Sequence, residues 1–241
     1  MNKLGRSNVA ALLFAGALAL AGCTSGDTGP SSSMFNPGGT TGSSVLPTGE
    51  TVLIRLGTDN LVESVPPLYQ KIYVAVVTDT NGRAVSGATV TFALRSGMAL
   101  NPGGYLKGFY VLPPPPPATP QQWTQVVTAI CGNEDANFND KLDPGEDLNG
   151  NGLLDPPGVS DVNPTGITDA SGIATATVTY PKNYASWAQV TLEASTAGTV
   201  VTPATSTFFL VGLATDYSNL GVAPPGDISP FGQSGSCANT L

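Results

Sequence analysis

Ala88-Thr89-Val90-Thr91-Phe92-Ala93-Leu94 is the stretch on which the fold turns. Ala88, Val90, Phe92 and Leu94 alternate with Thr89, Thr91 and Ala93, a period of two that places one set on a buried face and turns the threonines to water. The same rhythm returns in Ala174, Ala176, Val178 and Tyr180, set against Thr175, Thr177 and Thr179. It is also present where Ile72, Val74 and Val76 alternate with Tyr73 and Ala75. Further strands are expected near Thr51–Leu56, Trp123–Ile130, Ala188–Ala194 and Thr205–Val211. Asn81-Gly82 and Ser171-Gly172 supply the positive φ that tight turns between strands require. About seven short strands, Gly and Pro punctuation and no helical period predict an all-β, antiparallel β-sandwich.

Around these strands lies a longer pattern. Val77-Thr78-Asp79-Thr80-Asn81-Gly82-Arg83-Ala84-Val85-Ser86-Gly87-Ala88-Thr89-Val90-Thr91-Phe92, followed by Thr168-Asp169-Ala170-Ser171-Gly172-Ile173-Ala174, resembles the bacterial Ig-like repeats of invasin and intimin type. Ala84 stands where those repeats usually have proline. Transthyretin-like carrier domains share the first half of the pattern. The resemblance implies an Ig-like sandwich over 49–215 and a role in adhesion at a cell surface. About 75 residues separate the two signatures, roughly twice what such repeats place there, so this sandwich is expected to carry an insertion. Part of it is the run Pro113 to Pro117, stiff polyproline II by geometry, which reads as a rigid spacer or edge guard. Tyr105, Phe109, Tyr110 and Trp123 flank it as local packing.

The rest of the insertion, 131–161, carries the acidity. The chain has a formal net charge of −8, with 17 Asp and Glu against nine Lys and Arg. Glu134, Asp135, Asp140, Asp143, Glu146, Asp147, Asp155 and Asp161 fall together, opposed there only by Lys141. The segment repeats at an offset of twelve: Glu134 aligns with Glu146, Asp135 with Asp147, Asn137 with Asn149, Asn139 with Asn151, Leu142 with Leu154 and Asp143 with Asp155. Twelve is the length of the EF-hand calcium loop, whose oxygens at positions 1, 3, 5, 7 (backbone), 9 and 12 surround one ion. The first loop offers Asp135, Asn137, Asn139, the Lys141 carbonyl, Asp143 (directly or through water) and Glu146, with Leu142 as the inward apolar residue of position 8. A second loop offers Asp147, Asn149, Asn151, the Leu153 carbonyl and Asp155, with Gly152 at the sharp turn. Its twelfth position is Gly158, so a closing carboxylate has to come from Asp161 or from elsewhere. No room is left for flanking helices, and the back-to-back arrangement resembles thrombospondin type 3 repeats and other helix-less calcium loops of secreted proteins. Flexible oxygen coordination selects calcium over magnesium. A structural site of about 10⁻⁴–10⁻³ M affinity is expected, as in extracellular modules.

The amino terminus predicts where such a domain resides. Lys3 and Arg6 precede an apolar run from Val9 to Leu20, an export signal too short for a stable membrane span. Leu20-Ala21-Gly22-Cys23 closely resembles a lipobox, which implies that 1–22 is cleaved and that Cys23 is lipidated and heads the mature chain. Thr24 in place of Asp implies sorting to the outer membrane, with periplasmic and external orientations both open. The Ser, Gly, Thr and Pro-rich stretch 23–48 reads as a tether reaching on the order of 25–30 Å.

Several functions are excluded or disfavoured by composition. The chain contains no histidine, which removes Ser-His and Cys-His catalysis and histidine-ligated zinc. It has no basic stripe for nucleic acid. Paired-carboxylate catalysis needs two acids facing across a cleft, whereas the acids here follow calcium-loop spacing. An oxidising compartment makes a Cys131–Cys237 disulfide the default, pinning the extension 216–241, with a free thiol pair as the alternative. These readings predict a membrane-anchored, non-catalytic calcium-binding module in adhesion or envelope structure, with a protein or cell-surface partner. The alternative is a periplasmic carrier or inhibitor that binds a small ligand or protein through its sandwich-end loops.

Overall fold

The structure, a computed structural model, describes residues 51–96, 104–114, 121–197 and 203–239. The expected signal peptide, Cys23 and the tether lie outside the described residues, as does the proline run beyond Pro114.

Among the described residues the strands are, in chain order, β1 (Val52–Thr58), β2 (Glu63–Val65), β3 (Leu68–Asp79), β4 (Thr89–Ser96), β5 (Gly104–Val111), β6 (Thr124–Gly132), β7 (Asp161–Val162), β8 (Thr165–Ile167), β9 (Ile173–Pro181), β10 (Gln189–Thr196) and β11 (Ala204–Phe209). One sheet runs β1-β3-β9-β7, with β2 added on β3, and a second runs β11-β10-β4-β8. Every pairing is antiparallel. The chain is an all-β antiparallel sandwich whose two sheets close over one core of Tyr73, Val90, Phe92, Val178, Trp187, Leu192 and their neighbours. Tyr73 of one sheet stacks on Phe208 of the other, ring centroids 4.7 Å apart.

Strands β4 and β9 bury the faces their alternation predicts: Val90 and Phe92, then Ala174, Ala176, Val178 and Tyr180. In β3 the buried set is the opposite one. Tyr69, Lys71, Tyr73, Ala75 and Val77 point inward, while Ile72 is 41% exposed. The cause is register. β3 pairs with β9 so that Tyr73 faces Ala176 and Ala75 faces Ala174, and directly opposed residues share a face of the sheet. The β9 face is already committed to the core, and its alanines leave room for the Tyr69 and Tyr73 rings.

The two signature stretches adopt one turn design. The Asp79 carboxylate accepts the amides of Asn81 and Arg83, each at 2.8 Å, and the Asp169 carboxylate accepts those of Ser171 and Ile173 at 2.8 and 3.0 Å. The turns lie against each other, with Val77 N donating to Gly172 O at 2.8 Å.

The inserted length builds a third layer. Strands β5 and β6 form a two-stranded ribbon with a bulge at Lys107/Gly108. β5 does not alternate, because Gly104 to Gly108 are all buried. One side of the ribbon meets the sandwich, where Leu106 N donates to Trp187 O at 2.7 Å. The C-terminal segment covers it as well: Gly108 N donates to Gly232 O and Ser229 N to Gly108 O, both at 2.9 Å. Tyr105 packs on Phe231 with centroids 4.5 Å apart, and Tyr110 on Trp187 at 5.4 Å. The buried Lys107 ammonium donates to Ser236 O at 3.0 Å and to Asn239 O. Cys131 and Cys237 are disulfide-bonded with Cα atoms 5.6 Å apart, tying the end of β6 to this segment.

Candidate functional site

The acidic segment leaves β6 at Gly132 and returns to the sandwich at β7, and both of its ends are fastened to the last residue of β4. Asn133 Nδ2 donates to Ser96 O at 2.8 Å, and Ser96 Oγ donates to Pro157 O at 3.2 Å. What lies between has no strand or helix of its own. Its order comes from Asp and Asn side chains folding back on nearby amides, the local bonding at which these residues excel.

The two loops repeat each other bond for bond. In the first, Asp135 Oδ1 accepts Asn139 N at 3.1 Å and Oδ2 accepts Asp140 N at 2.8 Å. In the second, Asp147 Oδ1 accepts Asn151 N and Oδ2 accepts Gly152 N, both at 2.9 Å. Asn137 Oδ1 accepts Asn139 N and Asn139 Oδ1 accepts Lys141 N; twelve residues on, Asn149 Oδ1 accepts Asn151 N and Asn151 Oδ1 accepts Leu153 N. Positive φ falls at the same places, Phe138 (58°) and Asp140 (58°), then Gly150 (73°) and Gly152 (77°). Across each loop the two carboxamides converge on the ninth position. Asn137 Nδ2 and Asn139 Nδ2 reach Asp143 Oδ2, each at 2.8 Å, while Asn149 Nδ2 and Asn151 Nδ2 reach Asp155 Oδ2 at 2.6 and 2.9 Å. Those bonds hold the Asp143 carboxyl below the usual aspartate value, Asn137 acting most strongly.

Glu146 seals the first loop. Its carboxylate accepts Ala136 N at 3.0 Å and Asp143 N at 2.9 Å, while its own amide donates to Asp143 O at 3.1 Å. Glu134 stands in the same relation to the second loop. Its carboxylate accepts Asp155 N at 3.0 Å, and its amide donates to Asp155 O at 2.9 Å. The amides of Leu148 and Asn149 also act on this carboxylate, lowering its pKa. Burial and the neighbouring Asp155 work the other way, with burial dominant, so the Glu134 carboxyl sits above the usual glutamate value. Beneath it, burial pushes the Tyr105 hydroxyl up to about 12, with Glu134 and Asp155 adding to the rise.

Hydrogen bonds link Asp135, Asn137, Asn139, Asp143 and Glu146 within the first loop and Asp147, Asn149, Asn151 and Asp155 within the second; Lys141 and Leu153 are held by their amides, each on the asparagine two residues before it. Of the two sources left open for a closing carboxylate in the second loop, Asp161 is not one, because it lies in β7, exposed and paired with Thr179. One expectation fails. Leu142 does not point inward; it is 41% exposed and, with Phe138, Leu153 and Leu154, lines an open cleft of about 300 Å³. With no flanking helices there is no core for it to enter. Among the described residues no three Asp, Glu or Cys side chains draw together into a carboxylate or thiolate cage. The convergence in each loop is instead of two carboxamides on one carboxylate, that of Asp143 and that of Asp155. Reasoning from spacing placed no role on Glu134, although its alignment with Glu146 in the repeat was the signal that it shares that residue's task.

No family model matches the chain, and no curated protein or solved structure is significantly similar to it.

Proposed function

We propose that this chain is a non-catalytic, lipid-anchored envelope module in which a β-sandwich displays a calcium-stabilised loop segment, serving adhesion or envelope structure through a protein or cell-surface partner. One observation carries the calcium reading: the duplicated bonding frame, in which the position-1 aspartate binds the turn amides, the carboxamides at positions 3 and 5 converge on the carboxylate at position 9, and a glutamate seals the loop. Asp135, Asp143 and Glu146 would hold the ion with the Asn137 and Asn139 side-chain carbonyls and the Lys141 backbone carbonyl. The Asn137 and Asn139 carboxamides both lie against Asp143, and their oxygens, which accept the Asn139 and Lys141 amides, each keep a second lone pair for an ion. Calcium would supply charge neutralisation where carboxylates otherwise repel, and would make a segment with little apolar surface rigid.

The membrane placement rests on Lys3, Arg6 and the Leu20-Ala21-Gly22-Cys23 lipobox resemblance, and the adhesive role on the invasin-like signatures of the sandwich. Thermal melting of the protein in calcium, in magnesium and in chelator tests the site. A rise of several degrees with calcium that magnesium does not reproduce is expected, and superimposable curves overturn it. Labelling of Cys23 by a palmitate analogue, lost in Cys23→Ala, tests the anchor.

A further inference from the structure

We infer that the second loop is a second calcium site, closed by Glu134, a residue that precedes the first loop; the inference rests on the calcium reading above. The loop from Asp147 to Asp155 lacks a carboxylate at its own twelfth position, which is Gly158, and Asp161 is turned away in β7. Glu134 reaches it from the opposite direction in sequence. It makes to Asp155 the pair of bonds that Glu146 makes to Asp143, amide to carbonyl and carboxylate to amide. The two loops thus interlock. Glu134 closes the second and is followed by Asp135, which opens the first; Glu146 closes the first and is followed by Asp147, which opens the second.

A separate observation points to a ligand rather than to a loop fastening. Glu134 is only 2% exposed; its Oε2 is held against the loop by Asp155 N, while its Oε1 is buried and makes no hydrogen bond of proper geometry, the Leu148 and Asn149 amides facing the carboxylate without closing one on it. A carboxylate out of water with one oxygen unsatisfied is costly unless a cation meets it. Among the described residues no side-chain cation does so. Lys107, the ammonium that acts on Asp155, already donates to Ser236 O and to the backbone and side-chain oxygens of Asn239. A divalent ion seated among Asp147, Asn149, Asn151, Asp155 and the free Glu134 oxygen would satisfy it, and hard oxygen donors of this kind suit calcium.

Calcium titration of the full chain by calorimetry, with metal analysis after dialysis against calcium, decides the matter. Two ions per chain are expected. Glu134→Gln should bind one, and Glu146→Gln should bind one, each losing a different site. The glutamine can still accept the Asp155 amide, so near-ultraviolet dichroism and melting in chelator should hardly change in Glu134→Gln; a purely structural role for the residue predicts no change in stoichiometry. In an Asp147→Ala background, which has already lost the second ion, Glu134→Gln should cause no additional loss. If Glu134→Gln fails to fold, Glu134→Asp replaces it: the charge stays but the oxygen is withdrawn by one methylene, and at least tenfold weaker binding at one site only is expected. Two ions retained in Glu134→Gln, or undiminished affinity in Glu134→Asp, overturns the inference. A single ion in the wild type, lost in Glu146→Gln and kept in Glu134→Gln, overturns it while leaving the first site standing. No ion in the wild type overturns the calcium reading itself.

Discussion

Glu134 and Asp155, 21 residues apart, hold each other by two backbone-directed bonds: the Glu134 amide donates to the Asp155 carbonyl at 2.9 Å, and the Asp155 amide donates to the Glu134 carboxylate at 3.0 Å. This clasp joins the entrance of the acidic segment to its exit. It turns two loops in tandem into one closed unit, with Cys131 immediately outside its base bonded to Cys237.

Glu146 is the first place to test what the loops need. In chelator, Glu146→Ala leaves the amides of Ala136 and Asp143 without their acceptor, a loss of about 0.5–1.5 kcal/mol per bond where, as here, water can reach the amides. In saturating calcium the same substitution should cost more than in chelator, because the wild type gains binding energy that the variant does not. Denaturant unfolding of both proteins in both media measures the difference; equal costs would separate Glu146 from any ion.

Removing the disulfide should be felt by the whole domain. The bond spans 106 residues, and a closed loop of that length contributes up to about 4–5 kcal/mol through the unfolded chain. Cys131→Ala/Cys237→Ala should lower the urea midpoint accordingly and expose the segment after Asn219 to limited proteolysis. An unchanged midpoint and digestion pattern would show that the hydrogen bonds from the ribbon hold that segment by themselves.

The two signature glycines should not tolerate alanine equally. Both have positive φ, 78° at Gly82 and 74° at Gly172, but a Cβ at Gly82 meets nothing within 4 Å, whereas at Gly172 it comes within 2.5 Å of Val77 O. Gly82→Ala should cost about 1–2 kcal/mol, the left-handed penalty alone. Gly172→Ala should cost roughly 2–4 kcal/mol, since the turn must also part from β3. Chemical denaturation of the pair gives both values, and equal costs would contradict the contact.

Asp79 gives a pH dependence of definite sign. The Arg83 amide, and then that of Asn81, hold its carboxyl below the ordinary 3.8. A carboxyl whose folded pKa is depressed stabilises the fold fully above its unfolded value, and that contribution disappears as pH falls through the folded one. Asp79→Asn should therefore lower the melting temperature at pH 6, and the gap to wild type should narrow progressively below about pH 4. A gap that stays constant down to pH 2 would mean that the charge on Asp79 adds nothing.

Much of this architecture is legible in the sequence. Period-two alternation placed β4 and β9 with the correct faces inward, and the strands near 51–56, 123–130, 188–194 and 205–211 were marked by β-branched and aromatic runs. The twelve-residue repeat marks both loops, because the Asp and Asn bonds that shape them span two to six residues and are written into Asp and Asn spacing. β5 is not legible in the sequence, since Gly104, Lys107 and Gly108 break the alternation and the strand is buried on two sides.

The sequence by itself determined the class of fold, the two loop frames and the cysteine pair, all of which rest on composition or on relations a few residues long. Tertiary structure alone decided that Tyr73, not Ile72, faces the core, that the C-terminal segment covers β5, and that Glu134 is carried to Asp155. Each of these depends on which distant strand supplies the opposite surface. Local periodicity shows that a face exists, but only the packed partner determines which one is buried.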